Sequence, residues 1–158
     1  MVLLRKTKKI SGSLLFSYCF LVFATTVLSR SSRNTASYDL RLFRVFQIEE
    51  WWEKHDLMLQ IKANILMFVP IGFLLMQVGK SIKGKAMRLL YAVVSFITCI
   101  LFSTLIEYLQ YKLHRGYCEV DDIIHNTIGT VIGIALYWII DFVVNRLKVR
   151  NIVHHMNN

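Results

Sequence analysis

Between Ser103 and Asn126 the sequence gathers side chains that can bind polar groups or move protons: Glu107, Gln110, Arg115, Glu119, Asp121, Asp122 and Asn126. Carboxylates in unlike surroundings can divide acid and base roles. An arginine beside them suits a phosphate or carboxylate. The set therefore fits either a polar binding pocket or acid–base chemistry on a charged head group. It lies at the ends of two long apolar runs, where ionisable groups are costly unless something compensates them.

Helical spacing sorts these residues into faces. Ser103, Glu107 and Gln110 stand at i, i+4 and i+7, one side of a helix. Asp122, Asn126, Gly129 and Gly133 stand at i, i+4, i+7 and i+11, a second narrow stripe. The pair Gly129-x-x-x-Gly133 lets another helix backbone approach closely. The expected partner is the preceding apolar helix, joined by a short turn and so antiparallel.

Each residue also has a plainer structural role. Either Asp121 or Asp122 serves as a helix N-cap. Glu107 pairs with Arg115 or Lys112, and Asp141 with Arg146 or lipid head groups. Gln110 and Asn126 act as interhelical hydrogen-bond donors and acceptors, worth a fraction to about 2 kcal/mol each. His125 points off the stripe, and His154-His155 reads as a solvated tail. Taken singly, these structural roles prevail. Four acidic groups around one turn, Glu107, Glu119, Asp121 and Asp122, together favour a pocket.

The elements that position this set are apolar helices. The 158-residue chain is 55% apolar with net charge +9, and it carries four long apolar runs. That composition defines an all-α membrane protein of about four transmembrane helices, folded as a single domain over residues 1–158. The expected spans are approximately 10–29, 63–79, 89–109 and 123–144. Pro70 is expected to kink the second, and Gly72 to admit a neighbouring helix there. Asn64 adds a polar group at the start of that span.

Charge sets the expected orientation. Arg5, Lys6, Lys8 and Lys9 precede the first span; Lys80, Lys83, Lys85 and Arg88 fill the second connection; Arg146, Lys148 and Arg150 follow the last span. By the positive-inside rule both termini are cytoplasmic. The polar set then lies at the outer leaflet. Residues 30–62 form an outer connection of mixed charge. Its middle, Leu40 to Leu59, is either an amphipathic helix on the outer membrane surface, with Trp51-Trp52 as anchors, or a solvated loop with a short helix. The first apolar run also fits a signal peptide, but a retained anchor is expected, since three more spans follow.

Several classes are excluded. The basic residues form clusters between spans, with no stripe of interleaved aromatics, so no nucleic acid partner is expected. Cys19, Cys99 and Cys118 have no Cys-x-x-Cys spacing, so neither a metal site nor a cofactor is expected.

The ordered set Asn64-x-x-x-Phe68-x-Pro70-x-Gly72, Ser103-x-x-x-Glu107-x-x-Gln110, Arg115, and Asp121-Asp122-x-x-x-Asn126-x-x-Gly129-x-x-x-Gly133 resembles the VanZ-like family of small bacterial membrane proteins. The likeness runs from Leu40 to Trp138. Glu119 stands where members often carry Asp, and His125 where an apolar residue is commoner. The resemblance implies a multi-pass protein of the bacterial plasma membrane and cell envelope. The family's namesake is linked to reduced susceptibility to teicoplanin, a lipid-bearing glycopeptide, so glycopeptide resistance is an implied role.

Three functions follow as expectations. The first is an outward polar pocket for a lipid head group, a lipid-linked cell-wall precursor or an amphiphilic antibiotic, with membrane lipids as constant partners. The second is an intramembrane enzyme acting on a lipid-linked substrate, with Glu107 as base and Arg115 on a phosphate. No recognised nucleophile–base motif supports it, so a non-enzymatic role leads. The third is a structural or assembly subunit. Nothing in the spacing sets an oligomeric state.

Overall fold

A computed structural model describes residues 2–156 apart from residues 33 and 36; the side chains of residues 2–8, 149 and 151–156 are not described. The expectations for Arg5, Lys6, Lys8, Arg33, His154 and His155 lie outside the described residues.

Four helices carry the chain: α1 (Val2–Phe23), α2 (Trp51–Val78), α3 (Lys85–Lys112) and α4 (Val120–Met156). Helices form here because a backbone in hydrocarbon must satisfy its own hydrogen bonds. The segments Lys9–Leu28, Trp51–Ser81, Lys85–Lys112 and Val120–Lys148 are long and apolar enough to cross a membrane. The protein is thus an all-α, multi-pass membrane protein. Pro70 lies inside α2.

At its far end α1 widens into a π-helical turn, Ala24–Leu28. There the Ser29 N–H donates to the Ala24 carbonyl at 2.8 Å. Thr25 donates its hydroxyl to Leu21 O, and Thr26 to Val22 O, at 2.9 and 2.7 Å. These threonines take up carbonyls that the wider turn leaves short of donors.

The stretch expected as an amphipathic surface helix divides instead. Arg44–Phe46 forms one 3₁₀ turn, and Trp51 already begins α2. The helix starts twelve residues before the expected second span, since no Pro or Gly interrupts Trp51–Val69. Glu53 in its first turn complements the helix dipole.

Helices α2 and α4 form the closest pair, and the glycine stripe is the reason. A Cβ on Gly129 would meet the Ile65 carbonyl, and one on Gly133 the Val69 carbonyl. Gly72 on α2 reciprocates against the Thr130 carbonyl. The stripe thus packs on α2, not on α3 as the short α3–α4 turn implied. Around this contact, Val22, Val27, Phe68, Ile71, Cys99 and Ile106 form one buried cluster. Met76, Ala92 and Tyr137 form another toward the opposite end.

Two three-residue strands close the end of the bundle where α3 turns into α4. Strand β1 (Ser37–Asp39) pairs in parallel with β2 (Tyr117–Glu119), with Asp39 opposite Glu119. His114 and Gly116 take positive φ of 55° and 141° to make the turn.

Candidate functional site

The β1–β2 end of the bundle holds a buried polar layer with an open cleft beside it. Ser103, Glu107 and Gln110 from α3 are buried, as are Asp121, Asp122, Asn126 and Thr130 from α4. Helical spacing put Ser103, Glu107 and Gln110 on one face and Asp122 and Asn126 on another, and the antiparallel turn brings the faces together. The Asn126 amide donates to the Ser103 hydroxyl at 2.9 Å. Glu107 Oε2 accepts the Glu119 backbone N–H at 2.9 Å. Gln110 donates across to the Thr26 carbonyl at 3.1 Å, tying α3 to the π turn of α1.

The remaining candidates take other places. Arg115 donates to the Leu28 carbonyl at 2.6 Å, so it fastens the α3–α4 turn to α1 and does not pair with Glu107. Asp121 does not cap α4. Its two oxygens accept the backbone N–H groups of Phe43 and Arg44, each at 2.8 Å. Phe43 has φ 55°, which turns its N–H and the next toward one carboxylate. Asp122 is buried in the same layer. Asp141 lies at the opposite end of the bundle and pairs with Arg88 at 2.8 Å, not with Arg146.

Among the described residues, three buried amide atoms have no protein hydrogen-bond partner: Asn64 Nδ2, Gln110 Oε1 and Asn126 Oδ1. Among the described residues, no group of three His, Cys, Asp or Glu side chains is placed to hold a metal ion.

The cleft has a volume of about 750 Å³ and is lined by Arg30, Tyr38, Asp39, Arg41, Arg44 and Glu119, with Gln60 and Tyr117. Glu119 is the one lining residue already singled out by its place in the acidic turn. Arg41 grips Asp39 through two nitrogens, at 2.9 Å from Nε and 2.6 Å from Nη2. Arg44 bridges Asp39 at 3.3 Å and Glu119 at 3.0 Å. Hydrogen bonding from Arg41 holds the Asp39 carboxyl well below the usual carboxylate range. Burial, with nearby Glu107, Asp122 and Glu119, pushes the Cys118 thiol above its ordinary value.

Sequence reasoning missed Arg30, Asp39, Arg41 and Arg44 as members of the site. Their charges were legible, but the β1–β2 ladder that delivers them joins segments 80 residues apart. The alternation Asp39, Arg41 and Arg44 between exposed Leu40, Leu42 and Phe43 was the available signal.

A family model described as VanZ/LLP1 matches residues 13–141 of the chain. No curated protein and no solved structure matches it.

Proposed function

This chain belongs to the VanZ/LLP1 family, and from that premise we propose that it is a cell-envelope protein of the bacterial plasma membrane whose cleft receives the polar head of an amphiphile. The head belongs to a membrane lipid, a lipid-linked cell-wall precursor or a lipoglycopeptide. The observation that carries this reading is the open cleft of about 750 Å³ bearing Arg30, Arg41 and Arg44. Guanidinium groups recognise phosphate and carboxylate by paired hydrogen bonds. Asp39 and Glu119 hold two of them in fixed geometry, which lowers the ordering cost of binding.

The charge pattern supports an outward cleft. Every carboxylate except Asp141 falls within residues 39–56 and 107–122, while Lys80, Lys83, Lys85, Arg146, Lys148 and Arg150 belong to the other end. Basic loops stay in the cytoplasm, so the acidic end faces out.

The test pairs a gene deletion with Arg44→Gln and Glu107→Gln variants at matched protein level. Teicoplanin susceptibility is expected to rise in all three. Unchanged susceptibility at normal abundance sinks the drug-related role.

A second reading has its own observation: Glu107 and Asp122 are both buried at the end of the bundle whose cleft is lined by Arg30 and Arg44. Two buried carboxylates beside a cationic cleft fit proton transfer on a lipid-linked substrate. Incubating purified protein with a bacterial lipid extract, with and without divalent metal, distinguishes the two. Turnover of any head group supports the enzyme, and its absence supports binding alone.

A further inference from the structure

The opposite end of the bundle carries a second amphiphilic feature that the cleft does not use. Arg88, at the start of α3, donates to Asp141 of α4 at 2.8 Å, and its guanidinium lies 4.6 Å above the Trp138 ring. One turn beyond Trp138, Phe142 carries the Arg146 guanidinium 5.2 Å from its ring centre. Between them runs a groove of about 470 Å³, lined by Arg88, Trp138, Asp141, Phe142, Asn145 and Arg146. Lys80, Asn145 and Lys148 border a small adjoining hollow.

Two properties of this groove matter together. Its walls are aromatic, and Phe142 is 61% exposed on a helix that crosses the membrane. Its rim is cationic without compensation. Among the described residues Asp141 is the only carboxylate at this end, and it is committed to Arg88. Among the described residues no acid pairs with Arg146 or Lys148. An apolar wall beneath an unneutralised cationic rim, at the end of a span, matches a molecule with an acyl chain and an anionic head.

We infer that this groove binds one anionic phospholipid. The phosphate lies against Arg146, and the chain runs along Trp138 and Phe142. Arg88 is a wall of the site, held by Asp141 and Trp138, and not its phosphate ligand.

The test is native mass spectrometry of the whole protein released from micelles holding equal phosphatidylglycerol and phosphatidylcholine with the same acyl chains. The wild type is expected to retain phosphatidylglycerol about fivefold over phosphatidylcholine, the order given by one basic side chain on a phosphate. Arg146→Ala is expected to bring the ratio close to one. Lys112→Ala, an equal charge loss at the other end of the bundle, is expected to leave it unchanged. Equal loss in Lys112→Ala means diffuse charge and overturns the site. So does a preference that survives Arg146→Ala. Displacement by millimolar inorganic phosphate assigns the rim to free phosphate and overturns the lipid. Should Arg146→Ala fold poorly, Arg146→Gln carries the same comparison.

Discussion

Glu107 and Glu119 meet across the α3–α4 turn through one buried contact: the Glu107 carboxylate accepts the Glu119 backbone N–H at 2.9 Å. Both residues are more than 90% buried. Removing the acceptor leaves a buried N–H without a partner, which costs about 1–3 kcal/mol. Glu107→Ala should therefore lower the unfolding midpoint in detergent by that order. Glu107→Gln keeps a carbonyl acceptor and should lose less. Equal losses in the two variants would mean that the hydrogen bond carries no stability. Comparing Glu107→Gln for stability and for susceptibility also separates a site residue from a purely structural one.

The α2–α4 contact yields a steric prediction. At Gly129 and Gly133 an added methyl lands on the carbonyls of Ile65 and Val69, which are backbone atoms and cannot rotate away. Overpacking of this kind costs about 1–3 kcal/mol per site, and sometimes more. Gly129→Ala and Gly133→Ala should each reduce folded yield and thermal stability. Gly12→Ala is the matched control, since nothing lies within 4 Å of its added Cβ. Stability of Gly133→Ala equal to that of Gly12→Ala would contradict the close approach.

Much of this architecture is legible in the residues, and the exceptions have physical causes. Four helices follow from hydropathy, because lipid leaves a spanning chain few alternatives. The faces Ser103/Glu107/Gln110 and Asp122/Asn126 follow from helical spacing. The partner of Gly129 and Gly133 does not. Small residues announce a close approach but not which helix approaches, and here α2 takes the place that chain connectivity assigned to α3. Asp121 was readable as a cap because Asp favours helix starts. Its true partners are the N–H groups of Phe43 and Arg44, and backbone donors leave no mark in sequence. The cleft arginines flank a three-residue parallel ladder whose long-range pairing leaves no mark in the sequence.

Asp39 makes the cleft wall pH-sensitive with a definite sign. Its carboxyl is held below the ordinary value mainly by the Arg41 hydrogen bond. A depressed folded-state value means that the charged form is favoured on folding. The contribution is fully present above the unfolded value of about 4. It fades as pH falls through the lower folded value. Amide exchange in the peptide covering residues 40–50, corrected for intrinsic rates, should thus be slow at pH 6 and faster at pH 3. Asp39→Asn should be faster than wild type at pH 6, with the gap narrower at pH 3 though not closed. An unchanged gap would exclude Asp39 as the source.

Cys118 reports both orientation and local environment. It sits in β2, half-buried beside the acidic layer, while Ser81 is exposed near the other end of the bundle. In a chain with Cys19 and Cys99 changed to Ser, a membrane-impermeant maleimide added to cells with permeable walls should label Cys118. A cysteine introduced by Ser81→Cys, in place of Cys118, should stay protected until the membrane is opened. The reverse pattern would invert the orientation and close the cleft to outside ligands. Only the thiolate reacts, and burial followed by the charges of Glu107, Asp122 and Glu119 raises this thiol's pKa. Labelling should be slow at neutral pH and still rising where an ordinary thiol, with a pKa of about 8.5, begins to level off. Glu119→Gln removes one of the three charges and should speed labelling at neutral pH. A rate unaffected by that change would remove Glu119 from the field around the thiol.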